Sequence, residues 1–296
     1  LLRRPASREA RLSRRDLPWL AGVAFFGALV GPVALAWGLQ HAGGTGASLM
    51  LTMEAVFTAV LARALYGETM DRRVWLAMLA LLAGNALLVA DQARSGPAGG
   101  MPGLVAVLVA TAAWGTDNAL SRALADRDPG QVVLAKSSLG AGCALALAFA
   151  FGELAPATAA AVALLGIGAA GYGLSLRFYL LAQRRFGAAR TGSVFACAPF
   201  LGALAALALG DRSASWLMGA AGGLMAIGVW AHLAERHAHG HQHEALAHEH
   251  AHSHEDGHHD HAHDQMPAGT HSHPHVHAAV RHAHAHAPDL HHQHRH

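Results

Sequence analysis

LPWLAGVAFFGALVGPVALAWGLQHAGGTGASLMLTM, residues 17–53, contains no Asp, Glu, Lys or Arg. A helix over this run would present apolar surface on every side. A soluble domain needs charged residues on its outer face, whereas hydrocarbon is the solvent that tolerates such runs. Residues 74–90 form a second uncharged run. Working outward, residues 17–233 are dominated by Leu, Ala, Gly and Val, and residues 237–296 by His. The mean hydropathy of +0.26 averages an oily body with a polar tail.

Eight spans are predicted, at 17–40, 46–66, 73–91, 102–123, 130–151, 157–182, 189–210 and 214–233. Each is near the ~20 residues that cross about 30 Å of hydrocarbon. Gly, Pro and charge punctuate the joins. The first span is too long for a signal peptide, and seven more follow it. The fold class is therefore all-α, a polytopic membrane helix bundle. Arginine sets its orientation. The segment 1–16 carries Arg3, Arg4, Arg8, Arg11, Arg14 and Arg15, and alternate joins carry Arg72 and Arg73, Arg122 and Arg127, then Arg184, Arg185 and Arg190. The intervening joins hold only Arg94 and Arg212. Both chain ends are expected on the cytoplasmic side of the cell (inner) membrane.

The body repeats internally. Gly22, Gly27, Gly43 and Gly84 recur as Gly166, Gly171, Gly187 and Gly228, each 144 residues on. Gly67-Glu68 recurs as Gly210-Asp211, and Thr45-Gly46 as Thr191-Gly192. Spans one to three thus match spans six to eight, entered from opposite sides, which is the inverted repeat of many secondary transporters. The chain divides into an Arg-rich segment 1–16, a first unit 17–91 of three spans, a loop 92–101, a second unit 102–233 of five spans, and a tail 234–296. Two units of five would make ten spans, so two more are expected upstream of Leu1.

The stretches Ala47-Ser48-Leu49-Met50-Leu51-Thr52-Met53-Glu54-Ala55-Val56-Phe57-Thr58-Ala59-Val60 and Tyr66-Gly67-Glu68-Thr69-Met70-Asp71-Arg72-Arg73 resemble the EamA family of the drug/metabolite transporter superfamily. In the second half, Ala113-Trp114-Gly115-Thr116-Asp117-Asn118 and Ala196-Cys197-Ala198-Pro199-Phe200 add to the likeness. The resemblance implies ten helices in two inverted five-helix repeats and transport of a small molecule. In that family the helix ending in Gly-Glu usually carries a mid-helix proline. Pro199 fits, whereas the first repeat has Glu54 there, and Asp211 stands where Glu would follow Gly210.

Charge inside a membrane helix costs about 2.5–3.5 kcal/mol on insertion scales and usually marks a buried pair or function. Three such residues stand out. Glu54 lies about 12 Å into the second span, with no cation expected nearby, and suits proton exchange. Asp117 and Lys136 lie on adjacent antiparallel spans at similar depth and can pair, either to lock two helices or to receive substrate. Asn118 adds an amide beside Asp117, and Trp114 is deep enough to line a cavity. These five form the expected substrate-binding site. Arg177 is either a snorkelling or a cavity residue. The remaining tryptophans suit the interfacial belt. Cys143 and Cys197 read as small apolar residues rather than ligands or a disulfide.

The tail holds 23 of the 25 histidines. His271, His273, His275 and His277, then His282, His284 and His286, place imidazole at every second residue and are the expected metal ligands. Neutral imidazole suits Zn, Ni, Co and Cu. The composition predicts no packed core, hence a tail disordered without metal. The two matches to H-E-x-x-H that start at His248 and His254 are by-products of this composition.

The first functional reading is a secondary transporter exporting a small metabolite or drug-like compound by alternating access, coupled to protons. A divalent metal (Ni/Co/Zn) exporter ranks second, because between 17 and 231 the only histidine is His41. A membrane-anchored metal buffer or sensor ranks third, since an anchor needs one span. No nucleophile–base pair supports an enzyme, and no cofactor is required. Expected partners are the small-molecule substrate, the lipid bilayer and metal ions at the tail, with no nucleic acid; a homodimer is an open expectation. A reporter fused after His296 is expected to be active only when it is a cytoplasm-dependent one; activity confined to the outer compartment overturns the topology.

Overall fold

A computed structural model describes residues 10–66, 70, 72–95, 100–124, 127–186, 195–212, 215–233, 237–242, 246–252, 271–277 and 281–286. Residues 10–233 form a helical bundle. The first span comprises α1 (Leu17–Val23), a π-helical stretch Ala24–Val30, and α2 (Gly31–His41). Helices α3 (Gly44–Met50) and α4 (Met53–Tyr66) form the second, and α5 (Arg72–Ser95), α6 (Gly100–Ser121) and α7 (Pro129–Ala150) the next three. The sixth comprises α8 (Thr158–Ile167), a π-helical stretch Gly168–Leu174, and α9 (Ser175–Phe186). Helices α10 (Ala198–Ala208) and α11 (Trp216–Leu233) belong to the last two. Among the described residues, six spans are long and apolar enough to cross a membrane, with Ala198–Ala208 and Trp216–Ala231 as shorter apolar helices. The predicted seventh span, 189–210, runs partly through 187–194, outside the described residues, and its helix starts after a turn at 196–197.

Close packing of the spans rests on glycine. Without a hydrophobic drive between helices in lipid, small residues let backbones approach. A Cβ on Gly22 would press on Leu120, on Gly27 on the Asp117 carboxylate, on Gly31 on the Trp114 indole, and on Gly38 on Val107. Span one therefore lies along α6 for its whole length. Large apolar side chains elsewhere face outward, as lipid contact requires; Leu165 is 74% exposed and Ile167 69%.

The inverted repeat is visible in the packing. Gly84 of α5 packs on Ala221 and Met225 of α11, and Gly228 of α11 packs on Ala77 and Leu81 of α5. Shifting the first pair of contacts by 144 residues yields the second, which is the signature of a two-fold-related interface. The two π-helical stretches, Ala24–Val30 and Gly168–Leu174, are also 144 residues apart. Gly43 is the backbone N-cap of α3; its predicted mate Gly187, with Gly67, Glu68, Thr191 and Gly192, lies outside the described residues.

One expectation needs correction. The second span was predicted as one helix, but residues 51–52 form a turn between α3 and α4. The described parts of the tail form two short strand pairs. Strand β1 (His237–Gln242) runs antiparallel to β4 (Arg281–His286), and β2 (Leu246–His252) to β3 (His271–His277). Alternating His-Ala sequence has the two-residue period of a strand, which composition alone does not weigh.

Asp16 joins Arg127 through its two carboxylate oxygens at 3.0 and 3.2 Å, and Asp128 N–H donates to the Ala10 carbonyl at 2.8 Å. The segment before span one and the fourth–fifth join thus share one membrane face, as the arginine alternation requires.

Overpacking a tight contact costs about 1–3 kcal/mol. Gly84→Leu and Gly228→Leu are each expected to lower membrane abundance, whereas Gly166→Leu, where a Cβ meets nothing within 4 Å, leaves it unchanged. Immunoblotting of membrane fractions checks this; equal abundance of all three variants removes the glycine-packed interface.

Candidate functional site

The buried ion pair organises the site. Lys136 Nζ of α7 lies 2.6 Å from Asp117 Oδ2 of α6, with the two residues 2% and 6% exposed. Asp117 also accepts the Ser121 hydroxyl at 3.4 Å, one turn along α6. Gly27 makes room for the carboxylate, because any side chain there would occupy its place. Two charges out of water need such complete pairing, since removal of one partner leaves the other uncompensated.

The next residue faces elsewhere. Successive helical residues point about 100° apart, so Asn118 turns from α7 toward α4. Its Nδ2 donates to Glu54 Oε1 at 2.7 Å and approaches Thr58 Oγ1 at 3.4 Å. Glu54 thus has a neutral amide as its hydrogen-bond partner, and Asn118 faces Glu54 while Asp117 faces Lys136.

Glu54 owes its position to the break. It is the second residue of α4, where a helix N-terminus favours a negative charge. The break is held by side chains. Thr52 Oγ1 donates to the Leu49 carbonyl at 2.8 Å, and Asn85 Nδ2 of α5 donates to Thr52 Oγ1 at 3.1 Å and to the Leu81 carbonyl at 3.0 Å. Asn85 Oδ1 is buried with no hydrogen-bond partner among the described residues. Pro199 is the second residue of α10, after a turn at 196–197, so Glu54 and Pro199 occupy matching places 145 residues apart.

Two aromatic donors close the cluster. Trp114 Nε1 donates to the Gly27 carbonyl at 3.1 Å, and so does the Tyr172 hydroxyl, at 2.5 Å. Lys136 Nζ lies 5.9 Å from the centroid of the Tyr172 ring. Gly27 and Tyr172 belong to the two π-helical stretches, and π-bulges recur at functional sites because they widen the backbone and free carbonyls.

The structure thus brings Glu54, Asp117, Asn118, Lys136 and Trp114 into one cluster. Sequence reasoning missed Tyr172, Thr58, Ser121, Thr52 and Asn85. The available signal was polarity within a span: Asn85 interrupts the uncharged run 74–90, and Tyr172 sits mid-span rather than in an interfacial belt. Arg177 is half-buried on α9. Cys143 and Cys197 are exposed. The predicted histidine ligands lie on β3 and β4.

Removing one partner of a buried pair costs about 3–5 kcal/mol. Asp117→Asn and Lys136→Met are each expected to lower the detergent melting temperature, and the double variant to recover at least half of the loss. Additive losses in the double variant overturn the coupling.

A family model described as the EamA-like transporter family matches residues 3–90 and 101–233. No curated protein matches. One solved crystal structure of a protein is similar at 22% identity and a TM-score of 0.53, over 74% of this chain and 76% of that one. At that identity the likeness concerns the fold alone. The two matched segments take in both units and most of the chain, so the chain belongs to the EamA-like transporter family, whose members are multi-pass membrane transporters.

Proposed function

We propose that this transporter exports a small organic metabolite or drug-like compound by alternating access between its inverted units, with proton exchange at Glu54. One observation carries the reading. Two carboxylates, a lysine and an amide from three helices converge beside a helix break and two matched π-helical stretches. Helix packing needs none of these groups, since Gly and Ala suffice, and buried ionisable groups in spans are costly unless they serve a pathway. Discontinuous helices are where secondary transporters build substrate and coupling-ion sites.

The roles follow from the bonds. Among the described residues Glu54 accepts from the Asn118 amide, so a proton can replace Asn118 on its carboxyl without leaving a cation unpaired. Protonation frees the Asn118 amide, which then meets a polar group of the substrate. Lys136 is the ion-pair partner of Asp117. A cationic or donor-rich substrate competes with Lys136 for Asp117, so arrival of the substrate loosens the contact between α6 and α7. The Tyr172 hydroxyl ties span six to span one at Gly27, and re-pairing at that carbonyl is a natural point for the two units to shift. The tail lies on the cytoplasmic side of the inner membrane, where its histidines take up Zn, Ni or Co without joining the transport path.

Glu54→Gln keeps the shape and the Asn118 contact but cannot exchange a proton. In proteoliposomes, counterflow of a panel of organic cations and amino acids is expected to respond to a pH gradient between about pH 6 and 8 in the parent. Glu54→Gln is expected to lose at least about tenfold in that response at normal abundance. An unchanged gradient response removes Glu54 as the coupling residue.

A further inference from the structure

Residues 10–16, just ahead of span one, are pinned to the join between α6 and α7. Ala10 pairs with Arg127 in a parallel bridge, and its carbonyl accepts the Asp128 N–H. Leu12 donates its N–H to Gln131 Oε1 at 3.2 Å and packs on the cluster of Leu20, Val23, Leu124 and Val132. Asp16 Oδ2 accepts the Ser13 N–H and hydroxyl at 2.7 and 2.8 Å and lies 3.0 Å from the Arg127 guanidinium. The segment therefore has a backbone fixed from both ends.

Pinning sorts the side chains. In extended backbone, successive side chains point to opposite sides. Ala10 and Asp16 are buried and Leu12 is half-buried, whereas Arg11, Arg14 and Arg15 are exposed. None of these three arginines has a hydrogen bond or ion pair among the described residues. The described carboxylates beside them are engaged within the chain. Asp16 serves Ser13 and Arg127, and Asp128 Oδ1 accepts the Gly130 and Gln131 N–H groups at 2.7 and 3.4 Å. Three guanidiniums thus stand on one fixed frame with no internal anion to meet them.

The frame sits at the depth of lipid phosphates. Leu17 and Trp19 are exposed at the start of span one, where an aromatic residue marks the membrane interface. Arg15 precedes Trp19 by four residues, about 6 Å of helix. The headgroup layer is roughly 5–8 Å thick on each side of the hydrocarbon. A guanidinium presents a planar fork that matches two phosphate oxygens. A soluble anionic partner has to push through that layer to reach these groups, whereas a headgroup already lies in it.

We propose that Arg11, Arg14 and Arg15 form a docking site for the phosphate of an anionic phospholipid. The site is separate from the buried polar cluster and goes beyond the transport reading. A docked headgroup braces the start of span one on the α6–α7 join. Lys136 lies seven residues after Pro129, the first residue of α7, so the brace acts on the helices that carry the Asp117–Lys136 pair.

The test uses the full chain in detergent, with an equimolar mixture of phosphatidylglycerol and phosphatidylcholine of the same acyl chains. Native mass spectrometry counts the lipids retained. The parent is expected to favour phosphatidylglycerol by at least about tenfold, since each arginine near an anionic surface is worth about fivefold in binding. Arg11→Gln, Arg14→Gln and Arg15→Gln together are expected to abolish most of that preference. None of the three is bonded within the chain, so this variant is expected to keep the parent's melting temperature in phosphatidylcholine alone. Arg3→Gln, Arg4→Gln and Arg8→Gln remove the same charge ahead of the pinned segment and are expected to keep at least half of the preference. Equal loss in the two triple variants overturns the site and leaves attraction by net charge. Excess inorganic phosphate that strips the lipid as fully as the first triple change does overturns the lipid as occupant and leaves a site for free phosphate. A parent that retains both lipids equally sinks the proposal outright.

Discussion

Hydrocarbon offers no hydrogen-bond partner, so every backbone polar group within it must be satisfied by the protein. The rest of this structure depends on that constraint. It makes the body helical, and it limits helix breaks to places buried among other helices. The break at 51–52 is such a place. Thr52 bonds the Leu49 carbonyl, and Asn85 reaches across from α5 to hold Thr52. At the N-terminal end of the same span, Asp211 Oδ2 accepts the Thr45 N–H and hydroxyl at 2.8 and 2.9 Å. The second span is therefore two helices held by two residues from elsewhere in the chain. The polar cluster exists because the break exists: Glu54 sits at a helix start rather than in a helix middle, where its charge would be harder to hold.

The spans, their charge asymmetry and the repeat were legible in the sequence, because each is a one-dimensional signal. Apolar run length, arginine position and glycine spacing need no partner to be read. Asp117 and Lys136 were legible as a pair for a related reason: opposite charges at similar depth on consecutive antiparallel spans have few other ways to be neutral. The Glu54–Asn118 bond was not legible. Asn118 follows Asp117 directly, and adjacency in sequence suggested a shared task; helical geometry turned the two side chains toward different neighbours. The break was hidden as well. Pro199 announces its own break, but at the matching place Glu54 has no backbone signature, and the bonds that permit the turn come from Asn85, thirty-three residues on. The π-helical stretches add one residue per turn over a short apolar segment, which no hydropathy pattern records.

The cluster and the repeat are one device. Gly27 lies at its centre: its missing side chain admits the Asp117 carboxylate, and its carbonyl accepts both Trp114 and Tyr172. Three spans meet at that residue: span one from the first unit, and spans four and six from the second. A shift of the units against each other cannot leave these bonds untouched. The contact between α5 and α11 can serve as the fixed part, since its two halves are equivalent under the two-fold and made of small residues and methionine on a smooth seam.

Span six shows what the two-fold leaves open. Its mate, span one, is lined by α6 and α7 along the glycine face of Gly22 and Gly27. Gly166 and Gly171 carry the same spacing on span six, yet a Cβ on either meets nothing within 4 Å, and the span's apolar window is 0% buried. Glycine in a lipid-facing helix has no packing role and lowers helix propensity by about 1 kcal/mol relative to Ala. Among the described residues, the same glycine spacing is therefore filled on span one and unfilled on span six, so the two units share a sequence pattern while packing it differently.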